Sequence, residues 1–543
     1  MQCLMKVIKL ENRQRYITKV YILKIYTYLY SYLIKGDLLG VNMSYLLSYC
    51  MYVWLILLPV RTSALNEEIE VLVLLPKNNT YIFSIPRVRP AIEYARTRLS
   101  GDLYPGLNFT VHYENSDCGN EALFSLVNRS CMKKPDLILG PVCEYAAAPV
   151  IRMASHWNIP VISAGALATG FSQKDKEYSH LTRIAPSYLK MAETFSALFE
   201  HFGWNRVLLI YEDDSEERNC YFTVEGVHSS LHVEGYKVDH IVIHKDHSVE
   251  TDEIIKDIYK TEVVVMCAGA DTVRDIMLAA HRRRLTNGSY IFFNIELFNS
   301  SSYGNGSWRR GDKYDSEARL AYSALNVVTL MRTVKAEFET FTAEVKKSIQ
   351  RAGIGADNAN VNMFMEGFHD ALLLYALALH EVVKSGSSKK NGAQITQSMW
   401  NRSFEGIAGQ VSIDENGDRN GDFSVLTMTD TQTGTYEAVF NYFGVNQSLE
   451  MMPRITMEHF TLRERHWTPG PEQPDQSSGG LGVSAVTGII VGALLGTALL
   501  MAFYFFRKNY RITIERRTQR EECDIGKHRQ LREDSIRSNF SAA

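Results

Sequence analysis

Between Ser484 and Phe506 the chain runs for 23 residues without a charge. As a helix, that length crosses the roughly 30 Å hydrocarbon core of a bilayer with some tilt. Arg507 and Lys508 follow at once. The excess of basic residues on the cytoplasmic side then directs the C-terminus inward. Thirty-seven residues remain beyond the span, too few for a kinase, a cyclase or another catalytic core. The expected plan is a single-pass receptor or binding protein with a large outer domain (65–455), a linker (456–483), a transmembrane helix (484–506) and a short cytoplasmic tail (507–543).

An outer domain needs a route into the secretory pathway. Met43 opens a segment with an apolar core from Tyr45 to Val60, closed by Thr62 and Ala64. Small residues at those places suit cleavage after Ala64, so 43–64 reads as a signal peptide. The rival is an uncut signal anchor, for which the apolar run is short. Residues 1–42 are basic and rich in Tyr and Ile, and read as an upstream extension. Asn78, Asn108, Asn128, Asn287, Asn299, Asn305, Asn401 and Asn446 each begin N-x-S/T between the two apolar runs, as glycosylation in the lumen requires. Asn539 begins another, but in the inferred tail. Cys118, Cys131, Cys143, Cys220 and Cys267 lie outside, where disulfides form, and their odd number leaves one over. Cys523 is in the tail and should be reduced.

The net charge of −3 conceals a partition. Residues 1–64 carry +6 and 507–543 carry +4, which leaves −13 on 65–506. An acidic outer domain steers cationic partners toward itself and argues against nucleic acid.

Segment 65–455 alternates strand-like and helix-like runs. Apolar runs at Glu70–Leu75, Asp136–Leu139, Ile159–Ser163, Arg206–Tyr211, Glu262–Cys267 and Tyr290–Asn294 read as strands. Val88–Leu99, Glu144–His156, Leu189–Phe202 and Asp271–Arg282 have helical spacing between them. This alternation predicts an α/β fold of parallel sheets covered by helices, and its length predicts two lobes. Phe364–Leu379 reads as a long buried helix returning to the first lobe, and Ala408–Met428 as a β-hairpin about Asp414–Asp418. No internal repeat is apparent. The linker is rich in Pro, Gly and Ser.

Few motifs carry chemistry. Gly140-Pro141-Val142-Cys143 joins a strand to a helix, and free N–H groups at a helix start can hold an anion. An ordinary strand-to-helix turn explains the same residues. Asp414–Asp422 (DENGDRNGD) superficially resembles a calcium loop, but it lacks the twelfth-position Glu and flanking helices of an EF-hand. An Asn-Gly turn is the simpler reading. His281–Arg284 suits a solvated helix end. The sequence has no metal-ligand cluster, nucleophile elbow or phosphate loop, so no catalysis is expected.

Long blocks nevertheless resemble one family. PDLILGPVCEYAAAPV (135–150), EYSHLTRIAP (177–186), ERNCYFTVEGVH (217–228), FFNIELFNSSSYG (292–304), MEGFHDALLLYALALHEV (365–382) and FEGIAGQVSIDENGDRNGDFSV (404–425) are similar to the natriuretic peptide receptors. The tail resembles that of the family's clearance receptors, which lack the intracellular cyclase domain of other members. The resemblance implies a two-lobed type I periplasmic-binding-protein-like ectodomain. It implies a chloride ion held by Ser116 and the backbone of Val142 and Cys143. It pairs Cys118 with Cys143 and Cys220 with Cys267, leaving Cys131 odd. Tyr145, Glu177, Tyr178, Tyr221 and Ile243 match peptide-facing positions. The linker lacks the Cys that commonly joins two chains in the clearance branch, which puts a covalent dimer through that position in doubt.

The implied activity is capture of a cationic cyclic hormone between two protomers of a homodimer, followed by internalisation. The tail's Arg516-Arg517 and His528-Arg529 with Arg532 fit either attraction to anionic lipid or, as the resemblance implies, activation of an inhibitory G protein. Other classes share such a fold: an adhesion ectodomain without a soluble ligand, and a small-molecule receptor using the cleft between lobes.

Overall fold

The structure, a computed structural model, describes residues 67–245, 249–296, 307–331, 335–355, 360–452 and Tyr504. The expected extension, signal peptide, linker and tail lie outside the described residues, as does the span apart from Tyr504. Among the described residues no helix is long and apolar enough to cross a membrane. Apart from Tyr504, they all fall in one compact unit.

The first lobe is built on strands β1 (Glu67–Leu75), β2 (Leu107–Asn115), β3 (Leu137–Leu139), β4 (Val161–Ser163) and β5 (Leu181–Arg183). They pair in parallel in the order β2-β1-β3-β4-β5. β1 shows why its stretch Val71–Leu75 is an unbroken apolar run. Ile69, Val71, Val73 and Leu75 pack on one face, while Leu72 and Leu74 pack on the other. A strand of period two that is covered on both sides needs apolar residues at every position. Helix α1 (Ile85–Arg98) covers the first face, and α2 (Glu121–Met132) with α3 (Glu144–His156) the second.

The second lobe repeats this arrangement. Its parallel strands are β6 (Arg206–Asp213), β7 (Lys237–His244), β8 (Val263–Cys267), β9 (Ile291–Ile295) and β10 (Leu325–Leu330), in the order β7-β6-β8-β9-β10. The chain enters through α4 (Tyr188–Phe202), whose first turn is capped by Ser187 Oγ accepting from the Lys190 N–H. Gly203 ends it in the left-handed conformation that favours glycine. α5 (Asn219–Val233), α6 (Thr251–Ile258), α7 (Ala270–Arg282) and α8 (Asp315–Tyr322) complete the lobe. Val207, Leu209 and Tyr211 of β6 face one cluster, Leu208 and Ile210 another. The two lobes thus share a strand order that is invisible in the sequence, because only the pairing repeats.

After β10 the chain returns to the first lobe as α9 (Ala336–Arg351), α10 (Met363–Lys384) and α11 (Gly392–Met399). α10 is buried nearly all round, as its apolar composition predicts. The expected hairpin over Ala408–Met428 is corrected by the structure. β12 (Gln410–Ile413) pairs back with β11 (Arg402–Glu405), and β13 (Asp422–Asp430) crosses to the second lobe. There β13, β14 (Thr435–Phe443) and β15 (Ser448–Met451) add antiparallel strands beyond β10, so that sheet is mixed rather than purely parallel. The turn between them does form: the N–H groups of Asn416 and Asp418 donate to Asp414 Oδ1. The Asp418 carboxylate, however, is held by the first lobe. Arg183 grips it through Nε and Nη2, at 2.7 and 2.6 Å, and Lys174 Nζ reaches it at 2.9 Å. That capture draws the crossover onto β5 and leaves no calcium-ligand role for Asp418.

Candidate functional site

In doubly wound sheets the crevice lies past the carboxyl ends of strands, where the strand order reverses. Here that place is between β1 and β3 in one lobe and between β6 and β8 in the other. Both switch points carry a disulfide: Cys118–Cys143 in the first lobe and Cys220–Cys267 in the second. Cys131 is unpaired and exposed on α2.

The loop after β3 is fixed by close backbone contacts. Gly140 has φ +83°, and a Cβ there would stand 2.6 Å from the Leu74 carbonyl oxygen. Ser163 Oγ donates to the Pro141 carbonyl at 2.6 Å, and the Ala166 N–H donates to that of Val142 at 2.9 Å. Gly165 lies so close beneath that a Cβ would meet Val142 O at 2.4 Å and Val142 Cα at 2.5 Å. The result presents the N–H groups of Val142 and Cys143 at the start of α3. Among the described residues neither donates to a backbone carbonyl. Ser116, in the loop after β2, is 1 % exposed, and its hydroxyl has no hydrogen-bond partner. A buried unpaired hydroxyl beside a helix N-terminus is a donor set that fits a small anion.

Glu144 is the next residue. Its Oε1 accepts from the N–H groups of Leu167 and Ala168, while Oε2 is buried without a partner. Burial pushes its carboxyl up to about 8, against the opposing pull of those two N–H groups and Arg183. At neutral pH it is therefore mostly uncharged and repels an adjacent anion little.

Of the five expected peptide-facing side chains, the structure gathers two. Tyr145, at the start of α3, is half exposed, with its ring 5.8 Å from Phe222 of α5. Tyr221 packs edge-on to Tyr211 at 5.9 Å. Arg218 joins them: it lies 4.0 Å over the Tyr221 ring, hydrogen-bonds Tyr145 and holds Asp213 at 2.7 Å. These bonds, to Asp213 first and Tyr145 second, raise its pKa further. Nearby, Thr169 of the first lobe donates to Glu225 of α5. The aromatic group therefore bridges the lobes.

Glu177 is exposed elsewhere on the first lobe, in a 2.6 Å pair with Arg152. Tyr178 and Ile243 are 6 % and 8 % exposed. Tyr178 packs on Phe171 and under Arg152, and Ile243 belongs to the core cluster that includes Val264 and Met266 of β8. Neither offers free surface. Arg218, Phe222 and Glu225 were not singled out in the sequence. Their block was, but their meeting with Tyr145 spans some seventy residues of intervening chain and no local pattern announces it.

Asn78, Asn108, Asn128, Asn287, Asn401 and Asn446 are all exposed, as glycan attachment requires. Asn299 and Asn305 lie outside the described residues.

Residues 87–431 match the family described as the receptor family ligand binding region, well over half of the chain. The human protein named atrial natriuretic peptide receptor 3 is 59% identical over 492 residues, covering 88% of this chain and 91% of its own length. The chain belongs to the atrial natriuretic peptide receptor family. The rat receptor 3 is 58% identical over 89% of this chain. The human atrial natriuretic peptide receptor 2 is 31% identical over 396 residues, which are 70% of this chain but 38% of that longer protein. The ligand binding region of this receptor family therefore has, in this chain, the periplasmic-binding-protein-like α/β form described above.

Proposed function

We propose that this receptor captures natriuretic peptides at the cell surface and clears them by internalisation. The observation that carries the reading is the lobe-bridging group of Tyr145, Arg218, Tyr221 and Phe222 in a chain this similar to receptor 3. Aromatic residues and Arg supply large contact area at low entropy cost, which suits peptide recognition. The acidic outer domain favours a cationic hormone. The hormone lies between two protomers of a homodimer. The signal peptide 43–64 and the span 484–506 place the domain outside a plasma membrane, with 507–543 inside. The tail, 507–543, couples to an inhibitory G protein through its basic clusters.

Cells expressing the full chain should bind and take up labelled natriuretic peptide. Deleting 511–543 should leave affinity unchanged and remove peptide-induced lowering of cyclic AMP. No uptake by the intact chain would overturn the clearance reading. Normal cyclic AMP lowering by the deletion would overturn the signalling part alone.

Chloride is the anion proposed for Ser116, Val142 and Cys143, where it would tie the loop after β3 to the loop after β2. Removing one hydrogen bond to a charged group costs about 1.5 kcal/mol, roughly tenfold in affinity. In Ser116→Ala the chloride concentration that half-restores peptide binding should rise by about that factor. Equal chloride titrations in the variant and the parent would exclude Ser116 as a ligand.

A further inference from the structure

Helix α5 carries two histidines one turn apart, His228 and His232, whose ring centroids are 5.5 Å apart. Residues four apart share one face of a helix, so both rings project from the same side. Val224, Val227 and Leu231 bury the adjoining face of α5 in the core of the second lobe. His228 stands half-buried at the edge of that contact, and His232 is exposed.

The next element supplies a third imidazole. β7 is the edge strand beside β6, and its side chains alternate between two faces. Ile241 and Ile243 pack into one cluster. Val238 packs on the other side, against the cluster that holds Val224, Val227 and Leu231 of α5. His240 shares the face of Val238 and so turns toward α5, with its exposed ring 6.3 Å from that of His228. None of the three rings hydrogen-bonds another described residue.

We infer that His228, His232 and His240 bind one divalent transition-metal ion of the zinc class, tying α5 to the edge strand β7.

Distance favours this over three merely solvated side chains. A Zn–N bond of about 2.0–2.1 Å puts a ring centroid about 3.2 Å from the ion, so two imidazoles at the tetrahedral angle have centroids about 5.2 Å apart. The His228–His232 pair is within a few tenths of that spacing, and His240 is about 1 Å too far from His228. As they stand, no three His, Cys, Asp or Glu side chains among the described residues are placed to hold a metal ion. The pair is therefore the preformed part, and His240 closes the site by a rotamer change, which exposed side chains make within nanoseconds. Water fills the fourth position of a tetrahedral ion. Ligand type sets the metal: imidazole nitrogen suits zinc, copper and nickel, whereas calcium and magnesium take oxygen. The Glu225 carboxylate, one turn before His228, already accepts from Thr169 at 2.8 and 2.6 Å, which leaves the ligand set to nitrogen. The sequence displays only the pair, HSSLH, because the third ligand comes from the following strand.

The site lies apart from the group of Tyr145, Arg218, Tyr221 and Phe222 and does not depend on hormone capture, so failure of one reading leaves the other standing. The experiment is competition of the purified full-length chain with a chromophoric indicator for zinc acetate at about pH 7.5, where imidazoles of ordinary pKa are mostly neutral, with calcium acetate as control. Zinc should bind with a dissociation constant of about 1–10 µM, and a large excess of calcium should not displace it. Removing a group that merely supports a metal ligand costs about 10–100-fold in affinity, and losing a ligand should cost at least as much. His232→Gln and His240→Gln, both at exposed positions, should therefore each weaken zinc binding by about tenfold or more. His156→Gln, exposed on the first lobe, should bind zinc as the parent does. Failure of about 0.1 mM protein to withdraw zinc from the indicator would overturn the inference. So would parent-like affinity in either His232→Gln or His240→Gln.

Discussion

Asp418→Asn should destabilise the two-lobed domain by about 3–5 kcal/mol, the range for removing one partner of a buried ion pair. The substitution keeps shape and removes charge. It leaves Arg183, fully buried, and Lys174, nearly so, without their shared carboxylate. Arg183 Nη1 would keep its bond to the Ala168 carbonyl, at 2.9 Å, but a carbonyl does not neutralise a guanidinium. Denaturant unfolding of the two proteins at neutral pH measures the difference, and equal midpoints and slopes would refute it. Acid should add a signature. Burial alone would raise the Asp418 carboxyl, but Arg183 and Lys174 outweigh it and hold it far below the usual carboxylate range. A depressed carboxyl contributes stability that is present above its unfolded pKa of about 3.9 and is lost as pH falls toward the folded value. The parent should therefore lose stability below about pH 4 more steeply than Asp418→Asn, whose residue 418 does not titrate.

Gly165→Ala should disable the loop after β3. The added methyl would collide with Val142 O and Val142 Cα, both backbone atoms of a segment pinned by Ser163 and Ala166. No side chain can turn aside, so the loop must move. Overpacking of this kind costs about 1–3 kcal/mol, and here it displaces the two N–H groups offered to an anion. Peptide binding should become insensitive to chloride, beyond the tenfold shift proposed for Ser116→Ala, because backbone donors are lost as well as one hydroxyl. The second lobe, built on its own core, should keep its fold, which protease protection of 190–330 can follow. A chloride titration matching the parent's would mean that the loop tolerates the methyl and that its backbone does not hold the anion.

Much of the architecture is legible in the chain. Val71–Leu75 of β1, Val207–Tyr211 of β6 and all of β8 are covered on both faces, so these stretches are apolar throughout, and the resulting runs stand out. α3 was readable to the residue, from Glu144 to His156, because a Pro-containing turn starts it and its apolar spacing is regular. β7 was missed for the opposite reason. It is an edge strand with mixed exposure, and KVDHIVIH shows no continuous run. The crossover at 414–421 was misread because a local Asn-Gly signal fixes a turn but not the partner of the strand beyond it. That partner was chosen by the buried pairing of Asp418 with Arg183, over two hundred residues away in sequence.

The site divides the same way. The sequence by itself determined the α/β class of 65–455, its acidic charge, the sequon positions and the Gly-Pro turn opening α3, because each rests on neighbouring residues. The tertiary structure alone decided that Tyr145 meets Arg218 and Phe222, and that Tyr178 and Ile243 are core. It also decided that Glu144 and the carboxylates of the other lobe line one cavity. Those relations join two separately built sheets, and no period of two or 3.6 residues carries information from one sheet to the other.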